Sequence, residues 1–313
     1  MNYRNEQKKK SLELLNGFID DPGNGSFKGK KYPFVLKHPE LNLWDKIRDE
    51  AKAYFKDNSI PWWNETDEGP TGHMQSSQVS CVNHLFFLRN NQDMATSILK
   101  NIDNRIESAI KIDYPDKTAG YVAFEIVGKE NYLHEKQHSR GANATSVDAL
   151  MLGKKYDGKN ELFVIEWKYT ENYEMNHSLY IPQRSMYLNL LERFDSPIVM
   201  PMDNEQPFEP LYYEPFYQLM RQTLLAWQMV KAGEYDCDEY VNLHVIPKAN
   251  KELRLRNTSP GLRFKGKDLR SVWRSVLLKP ERYVMISPDE LMEPLQDTKD
   301  ARSLIDYLQR RYW

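Results

Sequence analysis

Two carboxylates and a lysine stand where the pattern calls for apolar side chains. Asp148 interrupts the apolar run 146–152, and Glu166 and Lys168 interrupt a second run, 161–169. A charge inside a strand that reads as buried costs free energy unless something compensates it. A divalent cation held by both carboxylates is one such compensation. Between the runs lies Tyr156-Asp157-Gly158, a hairpin turn signal. Read as a three-residue loop with Gly158 in the left-handed position, it pairs residue 155 with 159 and sets 148 opposite 166. Directly opposed side chains have Cβ atoms ~4.5–5.5 Å apart. Two bare carboxylates there repel, so one takes up a proton or a cation binds. Glu166 and Lys168, two residues apart, point to the same face. A two-residue turn would shift the register by one and send Asp148 to the other face. Leu162 and Val164 alternate with Phe163, Ile165 and Trp167, which argues for a strand covered on both faces rather than an exposed salt-bridge ladder.

The surrounding elements read in order. Leu41 to Phe55 carries Trp44, Ile47, Ala51, Tyr54 and Phe55 at helical spacing. A loop with Trp62-Trp63 follows; stacking on bases is one use for that pair, core or cover the more ordinary one. Ser76 or Ser77 caps a helix through Gln78, Cys81, Val82, Leu85 and Phe86. Asp93 caps another, with apolar residues out to Ile106 and Ile110. Residues 120–128 read as a strand interrupted by Glu125. The hairpin comes next, then a helix over 214–231 and a strand over 240–246. Gln218, Arg221 and Gln222 share a face of that helix.

Asp148 followed by Glu166-Trp167-Lys168 on the next strand resembles the active-site pattern of the PD-(D/E)XK nuclease superfamily. The words Ser76-Ser77-Gln78 with Asn83, Phe124-Glu125, Arg140 to Asp148, Glu166 to Glu171 and Tyr217-Gln218 resemble, more narrowly, a bacterial family of restriction-endonuclease-like proteins. These words span roughly residues 73 to 250. One departure is that Val147, not proline, precedes Asp148. The resemblance implies an α/β restriction-endonuclease-like core of order αβββαβ, a mixed central sheet flanked by helices, with helical extensions at both ends. The expected division is an N-terminal extension over 1–75, a nuclease core over 76–250 and a basic C-terminal extension over 251–313 packed on the core.

The chemistry suits the residues. A phosphodiester resists hydroxide because it is anionic, and Mg²⁺ neutralises that charge and orients a water. Mg²⁺ prefers oxygen ligands and keeps several waters, so one or two carboxylates suffice. Asp148 and Glu166 are the expected ligands, and the resemblance adds the backbone carbonyl of Trp167; Mn²⁺ is an expected substitute. Lys168 would orient the attacking water and counter developing charge. Glu125 is a further candidate carboxylate. Arg140, Gln78, Asn83, Gln218 and Arg221 are candidate nucleic-acid contacts, as are Lys267, Arg270 and Arg274 on a later helix with Val272, Trp273 and Val276. DNA is the expected substrate. Restriction enzymes often cut both strands as dimers, which suggests a homodimer. No methyltransferase motif is present, so a modification partner would be a separate protein. A repair or structure-specific nuclease, or a non-cleaving binding protein of the same fold, are the competing readings.

His134-Glu135-Lys136-Gln137-His138 matches the H-E-x-x-H zinc-protease pattern. That chemistry needs both histidines on one face of a firm helix and a third ligand. The stretch is short, polar and stopped by Gly141, so a loop or lid over the nuclease cleft is expected instead. The 313 residues carry a net charge of −2, which does not advertise a nucleic-acid binder. Eleven basic residues against Glu252, Asp268 and Glu281 between Lys248 and Arg282 form a local patch that can track phosphates. No apolar run approaches the ~18 residues of a membrane span. Two cysteines make no disulfide framework, and a cytoplasmic protein with reduced thiols is expected.

Overall fold

The computed structural model describes residues 2–63, 69–140, 144–173, 184–200 and 206–313. Helix α1 (Tyr3–Leu15), a small hairpin of β1 (Gly25–Phe27) and β2 (Lys30–Tyr32), and α2 (Arg48–Asp57) precede two helices, α3 (Ser77–Leu85) and α4 (Gln92–Ile102). Then come β3 (Ile106–Ile110), β4 (Ala123–Ile126), β5 (Val147–Lys155) and β6 (Asn160–Trp167). Helices α5 (Arg184–Leu191) and α6 (Phe216–Lys231) lead to β7 (Glu239–Val245). The chain ends with α7 (Lys251–Arg254), α8 (Leu269–Arg274), β8 (Tyr283–Ile286), α9 (Pro288–Met292) and α10 (Arg302–Arg311).

The main sheet runs β3-β5-β6-β7-β8, with β4 also on β5. It is mixed: β5 is antiparallel to β3, β4 and β6, whereas β6, β7 and β8 run parallel. The β5–β6 turn has the expected form. Lys155 N–H donates to the Lys159 carbonyl at 2.8 Å, and Gly158 takes φ +87°. The paired residues run from Lys154↔Asn160 to Ala149↔Ile165, which puts Asp148 next, opposite Glu166. Strand β6 is buried on both faces. Leu162 and Val164 enter the core shared with α6, and Phe163, Ile165 and Trp167 enter the core shared with α3 and α4.

Two strands depart from the expectation. Ile106 and Ile110 continue the four-residue spacing of α4, yet the helix stops at Ile102 and they form β3. Asp103 ends it: its carboxylate accepts the Arg105 backbone N–H at 2.9 Å and takes the guanidinium as well. Residues 283–286 form the sheet's far edge, so the C-terminal segment supplies a strand rather than packing alone. The expected helix over 41–55 is shorter, a 3-10 turn at Pro39–Asn42 followed by α2. Trp62 stacks on Phe55 with ring centroids 3.8 Å apart and is core, not a base-stacking surface. Among the described residues no helix is long and apolar enough to cross a membrane.

Candidate active site

Glu166 lies at the C-terminal end of β6, on the face covered by α6. Lys168 follows the strand; its backbone N–H donates to the Val245 carbonyl at 2.9 Å, extending the parallel ladder. Its Nζ lies 2.6 Å from Glu166 Oε1 and donates to Gln218 Oε1 at 2.7 Å. Gln218 Nε2 in turn donates to Glu166 Oε1 at 2.7 Å, closing a triangle. One turn along α6, Gln222 Nε2 donates to the other Glu166 oxygen and, at 3.4 Å, to the Ser146 carbonyl. Asp148 Oδ2 accepts the Trp167 backbone N–H at 2.7 Å, so β6 fixes the acid of β5.

Glu125 extends this row. It stands between the pairs Phe124↔Ala149 and Ile126↔Val147, beside Asp148 on the neighbouring strand. Its φ is +54°, a conformation that costs roughly 1–2 kcal/mol for a side chain with a Cβ. The irregularity breaks the strand's alternation, so Ala123 and Ile126, three apart, enter the same core. Gln78 Nε2 donates to Glu125 Oε1 at 2.9 Å, and Ser146 Oγ to Oε2 at 3.3 Å. Three carboxylates therefore sit on successive strands β4, β5 and β6.

Electrostatics follow from crowding. Burial, then the Glu166 and Glu125 carboxylates, hold Asp148 well above the ordinary carboxylate range. Burial also raises Glu125; hydrogen bonds from Gln78 and Ser146 oppose it, and Glu166 adds to it. Burial works against the charge on Lys168, but Glu166 and further acidic neighbours outweigh it and keep the ammonium well above its usual value.

The remaining candidates divide. Gln78 also accepts the Trp63 backbone N–H at 2.7 Å and serves to hold Glu125. Asn83 is a correction: it is fully buried, bonded to the Trp44 N–H, the Asn42 carbonyl and the Tyr312 hydroxyl, and has no surface to offer DNA. Arg140 is also turned inward, its Nη2 2.7 Å from Asp116, which Arg89 and Tyr54 share. Arg221 lies over the Tyr217 ring and donates to Thr145 Oγ1 at 3.1 Å. Lys267 and Arg270 are exposed, and Arg274 reaches the Tyr283 carbonyl at 3.4 Å.

The H-E-x-x-H stretch is not helical, and His134 has φ +55°. His134, Lys136, Gln137 and His138 are exposed, as expected of a loop, whereas Glu135 is buried. It accepts the Thr145 N–H (2.5 Å), the Thr145 hydroxyl (2.6 Å) and the Tyr187 hydroxyl (2.8 Å), anchoring the entry to β5. Burial and flanking aspartates push the Cys237 thiol up to about 12. Gln222 entered the sequence analysis only as a face-mate of Gln218 and Arg221, and the structure makes it a direct partner of Glu166. Glu214, half-buried, its carboxyl raised first by desolvation and within the field of Lys168, had no functional role in the sequence analysis and carries no such signal.

A mixed sheet flanked by helices, with opposed acids and a lysine at its centre, is compatible with a restriction-endonuclease-like fold. The family comparison names the group: the chain belongs to the family described as Restriction Endonuclease associating with ARP, whose model matches residues 16–313. No curated protein and no solved structure matches it.

Proposed function

We propose that this chain is a Mg²⁺-dependent endonuclease of the PD-(D/E)XK type, with an αβββαβ core, that hydrolyses phosphodiester bonds in DNA. The observation that carries the reading is the pair Asp148 and Glu166 on opposed strands, with Lys168 and Gln218 closed around Glu166. Among the described residues no three His, Cys, Asp or Glu side chains form an all-protein metal cage. Mg²⁺ that keeps most of its water needs one or two carboxylates, and an oxygen-only set with excess buried negative charge fits it. Asp148, Glu166 and the Trp167 carbonyl would hold the ion, with Glu125 close enough to act through water. Bound there, the ion would neutralise the phosphate and lower the cost of forming the nucleophile.

The chain's own residues do the rest. The Trp167 N–H fixes Asp148, and the two glutamines of α6 fix Glu166. Lys168, kept protonated by its acidic neighbours, orients the attacking water and opposes the charge that builds on phosphorus oxygens. The family description gives an association with ARP, and a partner protein belongs to the same proposal. The test is plasmid cleavage with Mg²⁺ or Mn²⁺, wild type beside Lys168→Ala and Glu166→Ala. Metal-dependent nicking lost in both variants supports the reading. Tight DNA binding with no cleavage would leave a binding protein, and cleavage that survives both substitutions would overturn the site.

A further inference from the structure

The basic stretch beyond β7 carries an aromatic ring in water. Phe264 is 74% exposed, between Arg263 and Lys265, in the loop from α7 to α8. From Leu253 to Lys267 the chain has five basic residues, Arg254, Arg256, Arg263, Lys265 and Lys267, and no Asp or Glu. The loop's neck is firm. Asn257, Thr258, Ser259 and Leu262 are buried. Thr258 Oγ1 donates to the Glu214 carbonyl at 2.7 Å, Ser259 Oγ to the Pro210 carbonyl at 2.7 Å, and Asn257 Nδ2 to the Gly266 carbonyl at 3.0 Å.

This loop flanks the candidate centre. Arg256 Nη1 donates to Asn172 Oδ1 at 3.4 Å, four residues beyond Lys168. Glu214, which accepts from Thr258, lies one turn before Gln218. A ring held in solvent by an anchored basic frame matches a stack of bases bounded by phosphates. Apolar wedges of this kind enter between base steps and kink the duplex, and a preformed loop loses little freedom on docking. A second copy of the chain seated here would bring two predominantly basic surfaces together, which like-charge repulsion disfavours.

We propose that Phe264 is a wedge that inserts at a base step of duplex DNA, with Arg256, Lys265 and Lys267 on the flanking phosphates. The proposal rests on the nuclease reading and specifies how that site would take its substrate. It is tested with a cleavage-dead Asp148→Asn background and a short labelled duplex of mixed sequence. Phe264→Ala should weaken binding on the order of 10- to 100-fold, as loss of base stacking does, with the salt dependence unchanged. Lys265→Gln with Lys267→Gln should lower the slope of log affinity against log salt by about 1.8. Phe264→Trp should bind like the parent and show tryptophan emission quenched by the duplex. Equal affinity of Phe264→Ala and parent, or unquenched emission in a formed complex, would overturn the wedge while plasmid cleavage still stood. A dimer in sedimentation that Phe264→Ala alone dissociates would also overturn it, in favour of self-association. A parent that binds no duplex even at low salt would overturn the wedge and the nuclease reading together.

Discussion

Asp148 shows at the scale of one residue what the candidate site costs the fold. Its carboxyl is held above the ordinary range by burial and by Glu166 and Glu125. The folded chain therefore binds that proton more tightly than the unfolded chain. By linkage, Asp148 contributes stability that is fully present below its unfolded value of ~3.9 and is lost as pH rises through the raised folded value. At pH 8 in EDTA, Asp148→Asn should be more stable than wild type, because the amide keeps an acceptor for the Trp167 N–H without a charge to bury. A rise of about 2 °C or more in Tm is expected, the shift that ~1 kcal/mol produces in a chain of this size. The gap should narrow at pH 5. Mg²⁺ should raise the wild-type Tm at pH 8 and leave the variant unmoved. Thermal unfolding at the two pH values checks this, and a variant less stable than wild type at pH 8 would contradict the electrostatic account.

At the scale of elements, the β5–β6 hairpin was legible because three features agreed. Gly158 marks the turn, apolar residues occupy both parities of β6, and the charges fall at positions that the register makes opposite. Where sequence misled, the cause was a shared periodicity or an unusual backbone. Ile102, Ile106 and Ile110 keep helical spacing, but the Asp103 turn ends α4, and Ile106 and Ile110 pair with β5 instead. The left-handed backbone of Glu125 leaves no mark in composition. Strand β8 is four residues long, too short for alternation to stand out. The turn can be probed directly. A Cβ added at Gly158 meets no atom within 4 Å, so a side chain there is penalised by φ +87° alone. Gly158→Val should cost about 1–2 kcal/mol, read from the urea midpoint. DNA cleavage should persist where the protein is folded, since α6 and β7 also hold Glu166 and Lys168. An unchanged midpoint would mean that the turn tolerates a Cβ and does not set the register.

For the whole molecule, the expected core of residues 76–250 is built together with its flanks. One apolar cluster joins Tyr3, Trp44, Tyr54 and Phe55 with Val82, Leu85, Phe163 and Trp167, and with Leu304, Leu308 and Tyr312. Arg311, almost fully buried, donates to Asn42 Oδ1 at 3.1 Å and to the Met74 carbonyl at 2.9 Å, so α10 ties the N-terminal segment down. His84 on α3 packs against Trp167 on one side and Tyr312 on another. A fragment of residues 76–250 would lose β8 from the sheet edge, uncover β7 and expose the apolar face beneath Trp167. Exposed apolar area costs ~25 cal/mol per Å², and domain stability is a margin of about 5–15 kcal/mol, so losing both flanks should exhaust it. The full chain should therefore unfold in one urea transition followed alike by tryptophan emission and far-UV dichroism. The fragment should lack near-UV dichroism or aggregate. A fragment that folds cooperatively by itself would show that the motif-bearing segment is an independent domain, and that the flanking aromatic contacts join folded bodies rather than complete a core.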